Sequence, residues 1–178
     1  EIAQCLVGSE MCIRDRFYYL TCHREENTTD RSALFSILAA IEELDAPAVY
    51  PVHPRCKSAV SEIIAKEGLK NTRAIEPVGY LESLWLTNNA KQVITDSGGL
   101  QREAFFAEVK CTTILDFEVW PETMVDNRNL LARPSKESIL KAMSLPQVIG
   151  KEYHPFGDGR ASVRIADAVM NMGEVFHS

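Results

Sequence analysis

The sequence predicts an α/β domain, a Rossmann-like parallel sheet with helices on both faces. Three observations lead there. Short runs of β-branched and aromatic residues alternate with longer runs whose apolar residues recur at helical spacing. The composition is that of an ordinary folded domain, with 46% apolar and 25% charged residues, 9 glycines and 8 prolines in 178 residues. Finally, the residues able to do chemistry stand immediately after the β-type runs, where an open parallel sheet presents its ligand-binding loops.

Each element can be justified in order. Residues 1 to 16, EIAQCLVGSEMCIRDR, show neither a strand nor a helix period and are set apart as an atypical segment. VGSEMCIRDR looks like translated adapter sequence, so the expectation is an artefactual start and a chain that lacks its true N-terminal part. The domain proper is expected over 17–178. Phe17 to Cys22 reads as a buried strand, followed by a polar loop, HREENTT. Asp30 is placed to cap a helix carrying Leu34, Phe35, Leu38, Ile41 and Leu44 on one side. Ala48 to Val52 is the second strand. Pro54 and Arg55 lead into a helix through Ala59, Ile63, Ile64 and Ala65, which Gly68 ends. A strand at Arg73 to Ile75, a helix at Tyr80 to Asn88, a strand at Lys91 to Thr95 and a helix at Leu100 to Ala107 continue the alternation. Cys111 to Leu115 closes the main series. A short strand around Leu130, helices at Lys136 to Met143 and Ser162 to Met172, and the loop HPFGDGR complete the chain.

Several function classes are excluded. The longest apolar run is Ile37 to Ile41, far short of the roughly 20 residues a membrane helix needs. A net charge of −6 argues against nucleic acid or an anionic membrane as partner. The odd count of 5 cysteines, with no C-x-x-C, fits reduced thiols in a cytoplasmic protein rather than a disulfide framework or a zinc ribbon. Neither a metal-ligand spacing, a G-x-S-x-G elbow nor a Walker loop occurs, and no cofactor is expected.

The strongest site candidate is ITDSGGLQREAFF, residues 94–106. A strand runs through two glycines straight into a helix, and the orphan N–H groups of a helix start favour an anion, phosphate above all. Ser97, Gly98 and Gly99 would hold it, and Glu103 could accept hydrogen bonds from a ribose diol. A tight strand-to-helix turn with an exposed Glu is the alternative. The second candidate is TCHREENT, where His23 could donate to a phosphate or move a proton and Arg24 offers a planar fork; a solvated charge cluster would read the same way. His53, between two prolines, ranks below His23. Pro121 and Glu122 could face a sugar, Trp120 fits a core position equally well, and Gly157, Asp158 and Gly159 read either as a second anion-facing turn or as a hinge.

Together, T-x-H-R-x-E-N at 21–27, P-V-H-P at 51–54, G-Y at 79–80, T-D-S-G-G-x-Q-x-E-A at 95–104, P-E at 121–122 and G-D-G-x-A-S at 157–162 match one family in order and spacing. From about Phe17 to Met172 the chain resembles the C-terminal domain of UDP-N-acetylglucosamine 2-epimerases, half of a glycosyltransferase-B fold. The resemblance implies a UDP-sugar substrate, with Ser97, Gly98 and Gly99 on the diphosphate, Glu103 on the ribose, and His23 and Arg24 near phosphates and sugar. His23 is the catalytic candidate; Arg24, His53, Ser97, Gly98, Gly99 and Glu103 are substrate-binding candidates. It further implies C2 inversion through UDP elimination and re-addition, acid and base carboxylates in a separate N-terminal domain, and a homodimer of the full-length protein. Leu115 and Trp120 stand where many members carry arginine, and Arg102 where Glu is usual. A hydrolysing epimerase, an epimerase of another UDP-amino-sugar, and a sugar-nucleotide-binding domain of the glycosyltransferase-B type are the alternatives.

Overall fold

The computed structural model describes residues 17–148 and 153–175. The expectation of an artefactual segment at 1–16 lies outside them. Six strands form one sheet, all parallel: β1 (Tyr18–Thr21), β2 (Ala48–Pro51), β3 (Thr72–Ile75), β4 (Val93–Thr95), β5 (Cys111–Ile114) and β6 (Asn129–Ala132). Their order is β3-β2-β1-β4-β5-β6. The chain builds outward from β1 to β3, then returns to the other side of β1 to lay down β4. That reversal opens a crevice at the carboxyl ends of β1 and β4, the topological switch point where such sheets bind ligands.

Alternate residues of the central strands β1, β2 and β4 feed two cores. Tyr18, Leu20, Tyr50 and Ile94 pack with α2 (Arg31–Glu42), α3 (Lys57–Glu67) and α6 (Lys136–Ser144). Phe17, Tyr19, Val49 and Val93 pack on the opposite face with α4 (Tyr80–Asn89) and α5 (Gly98–Phe106). The period-2 pleat therefore needs apolar side chains at consecutive positions, which is why these strands read as continuous apolar runs.

The helix ends obey the residues at them. The Asp30 carboxylate accepts from Ser32 N at 2.8 Å and starts α2, while Gly68 ends α3 at φ 67°, a conformation that suits glycine best. Two expectations are corrected. HREENTT is not all loop, because Glu25–Thr29 forms a short helix, α1. The strand near Leu130 belongs to the main series: β6 pairs with β5 along its whole length, so the sheet does not close at Cys111–Ile114.

The segment after Val148 forms a compact unit by itself and carries α7 (Ala161–Val175). Within it the Asp158 carboxylate accepts from Arg160 N at 3.1 Å and from Arg164 at 2.7 Å. Gly157 and Gly159 take φ of 83° and 78°. The turn thus supplies its own carboxylate to Arg160 and Arg164 at the start of α7.

Candidate functional site

β1 and β4 end side by side, and their last residues are joined through side chains. Thr21 Oγ1 lies 2.6 Å from Thr95 Oγ1, which accepts from Ser97 N at 2.9 Å. Between them sits Asp96, fully buried. Its carboxylate accepts from His23 N at 3.1 and 2.9 Å, Arg24 N at 2.8 Å and Asn27 Nδ2 at 3.2 Å, and lies 3.2 Å from His23 Nδ1. Arg24 Nε donates to the Asp96 carbonyl at 2.8 Å. A buried carboxylate needs such a ring of donors, and here the donors are the HREEN loop itself. Asp96 therefore fastens one sequence motif onto the other, which explains why α1 forms from so polar a stretch: Asn27 is buried against Asp96 and against the Ile114 carbonyl, 3.2 Å away.

The helix start after β4 has open donors. Ser97 Oγ accepts from Leu100 N at 3.4 Å; among the described residues, no hydrogen bond engages the N–H groups of Gly98 or Gly99. Beside them lies a cleft of ≈ 300 Å³ lined by Thr21, His23, Val78, Gly79, Tyr80, Ser83, Ser97, Gly99, Leu100 and Glu103. Burial raises the carboxyl pKa of Glu103, partly offset by the positive charge of Arg102. The arrangement offers a diphosphate the positive end of α5 and offers a hydroxylated group a carboxylate one turn further along.

His23, Ser97, Gly99 and Glu103, four of the expected site residues, thus meet in one cleft. Three others do not line it. Gly98 faces the loop after β5: a Cβ there would stand 3.0 Å from Val119 Cγ1 and 3.3 Å from Trp120 Nε1, so its missing side chain admits that loop. Arg24 turns towards Phe117, its guanidinium carbon 5.6 Å from the ring centre, beside Asn27 and Asp116. His53 caps the turn Pro54–Cys56, its Nδ1 accepting from Arg55 N at 3.3 Å. Trp120 is half-buried beneath Arg102, whose guanidinium carbon is 4.3 Å from its ring centre.

Sequence reasoning missed the organising role of Asp96, the burial of Asn27, and the wall made by Val78, Tyr80 and Ser83 of the β3–α4 connection and α4. Asp96 lay within a quoted motif, but only the pairing of β1 with β4 reveals its task. Burial also pushes the Cys22 and Cys111 thiols up, Cys111 to about 12, which makes both inert at neutral pH. No group of His, Cys, Asp and Glu suited to a metal ion occurs among the described residues, and no helix there is long and apolar enough to cross a membrane.

A family model described as UDP-N-acetylglucosamine 2-epimerase matches residues 3–170. The chain belongs to the UDP-N-acetylglucosamine 2-epimerase family. A UDP-N-acetylglucosamine 2-epimerase homolog of Methanococcus maripaludis is 39% identical over 168 residues, 92% of this chain and 47% of its own length. The UDP-2,3-diacetamido-2,3-dideoxy-D-glucuronate 2-epimerase of Pseudomonas aeruginosa is also 39% identical, across 86% of this chain and 44% of that protein. Among solved structures, the Methanocaldococcus jannaschii UDP-GlcNAc 2-epimerase in complex with UDP-GlcNAc and UDP superposes with a TM-score of 0.73 at 35% identity, over 89% of this chain and 46% of that one. The chain thus spans about half the length of the epimerases it matches, and its sheet is one Rossmann-like half of their glycosyltransferase-B-like fold.

Proposed function

We propose that this chain is the nucleotide-binding half of a UDP-N-acetylglucosamine 2-epimerase, an isomerase that inverts C2 of the sugar. The observation that carries the reading is the α5 start, where the Gly98 and Gly99 N–H groups are unengaged and Gly99 lines the cleft that holds His23 and Glu103. A diphosphate placed there meets donors worth roughly 0.3–2 kcal/mol per favourable charge contact. Ser97 and Gly99, with the Gly98 N–H, take the phosphates, Glu103 takes the ribose hydroxyls, and His23, oriented by Asp96, acts on the sugar side as proton carrier or phosphate donor. Arg24 and His53 take part at the edge, Arg24 by holding the loop that carries His23.

In this reading a base removes the proton from C2, the C1–O bond breaks, and UDP leaves with the electron pair; re-addition follows once the proton has been returned to the other face. This chain stabilises the leaving diphosphate. The carboxylates that move the C2 proton belong to the part of the epimerases that the chain does not span, and the complete protein works in the cytoplasm as a homodimer. A second sugar is supported by a specific observation: the relative named for a UDP-diacetamido-glucuronate is as similar as the one named for UDP-N-acetylglucosamine. Epimerisation of another UDP-amino-sugar is therefore kept as the alternative.

Calorimetric titration tests the site directly. The chain should bind UDP, weakly, and Ser97→Trp, which fills the phosphate end of the cleft, should abolish the heat. An unchanged isotherm in Ser97→Trp, or none for the parent chain at millimolar UDP, would sink the assignment.

A further inference from the structure

The α4 wall of the cleft contains a polar pair that packing alone does not call for. Tyr19 sits on β1 within an apolar core and is 1% exposed, yet its hydroxyl reaches Ser83 Oγ at 2.8 Å. Ser83 lines the same cleft as Glu103. Burial raises the pKa of the Tyr19 phenol, the Ser83 hydrogen bond opposes the rise and the Glu103 charge adds to it. A buried phenol requires a hydrogen-bond partner, so Tyr19 holds Ser83 Oγ in place at the cleft surface.

We infer that Ser83, positioned by Tyr19, acts with Glu103 as a receptor for the vicinal diol of ribose and makes the site select ribonucleotides. The chemistry is complementary. An ionised carboxylate only accepts, and so takes a diol O–H. When Tyr19 donates to Ser83 Oγ, the serine proton is left to be given to a ribose oxygen. A ligand lacking one of the two hydroxyls leaves one of these groups without its partner. Ser83 is thus a binding residue and Tyr19 a positioning residue, neither of which is marked by a sequence motif. The inference rests on the reading of the cleft as a UDP site.

The test compares UDP with 2′-deoxy-UDP and 3′-deoxy-UDP by calorimetry, in the parent chain, Ser83→Ala, Ser83→Thr and Tyr19→Phe, with thermal melts to verify folding. The parent should prefer UDP to at least one deoxy analogue. Ser83→Ala and Tyr19→Phe should weaken UDP about three- to tenfold, the range for one neutral hydrogen bond. They should leave that analogue unchanged, so the preference collapses. Ser83→Thr, which keeps the hydroxyl, should restore it. Equal weakening of all three ligands, or a preference that survives in Ser83→Ala, overturns the diol receptor while leaving the UDP site standing. A folded parent chain that binds no UDP overturns both.

Discussion

Asp96 determines more of the site's geometry than any residue facing the cleft. Three donors converge on its two oxygens, the His23 and Arg24 amides and the Asn27 side chain, and His23 Nδ1 lies 3.2 Å from one of them. In Asp96→Asn one oxygen becomes an N–H group, and a donor is turned on other donors inside a fully buried space. Leaving buried polar groups unpaired costs about 1–3 kcal/mol each, so the substitution should lower unfolding stability by roughly 2–4 kcal/mol. Urea denaturation reads the loss, and a midpoint equal to the parent's would show that the HREEN loop is held by something else. This residue also marks the limit of what the sequence disclosed. His23, Ser97, Gly99 and Glu103 were legible because local chemistry announces them, a loop at a strand end and a glycine-rich helix start. Asp96, Tyr19 and Ser83 act through partners between 64 and 73 positions away, and no local pattern reports such a pairing.

Among the elements, those whose shape depends on their own residues were legible and those shaped by neighbours were not. The Asp30 cap and the Gly68 stop delimit α2 and α3 where expected. α1 escaped because its 5 residues, EENTT, have no apolar period and are ordered by tertiary bonds from Asn27. The membership of β6 in the sheet escaped because pairing with β5 is a non-local fact. α5 shows the two influences within one turn, and its glycines should respond in opposite ways. A methyl on Gly98 would press on Val119 and Trp120, whereas one on Gly99 meets nothing nearer than Ser97 Oγ at 3.6 Å. Gly98→Ala should therefore lower the melting temperature by displacing the loop after β5. Gly99→Ala should melt at or slightly above the parent value, since alanine suits a helix better than glycine, but bind UDP less tightly because the methyl stands at the cleft. If both variants lose stability alike, the division between packing glycine and site glycine is wrong.

At the scale of the whole molecule, a sheet covered on both faces buries ionisable side chains along with the apolar ones, and this makes stability depend on alkaline pH. The Cys111 thiol, whose ordinary pKa is 9.0, is raised to about 12 by burial, and burial raises Cys22 and Tyr50 in the same sense. For a group raised on folding, the folded state keeps its proton after the unfolded state has released it. Its contribution is complete below the unfolded pKa, near 9 for Cys111, and is lost as the pH climbs towards the folded value. Over about three pH units one such proton is worth ~4 kcal/mol. Lys110, buried while donating to the Ala142 and Met143 carbonyls at the end of α6, opposes this trend. Its pKa is lowered by burial, so its contribution rises with pH until the unfolded lysine also loses its proton near 10.5. Tyr18, Tyr19 and Lys91 are raised as well, so the groups that lose stability with rising pH outnumber Lys110 and the urea midpoint should drop steadily above about pH 9. Cys111→Ala should flatten that fall by about one proton's worth of slope, near 1.4 kcal/mol per pH unit. Parallel profiles for Cys111→Ala and the parent would mean that the thiol is titrating freely, and that the β5 face of the sheet is open to water.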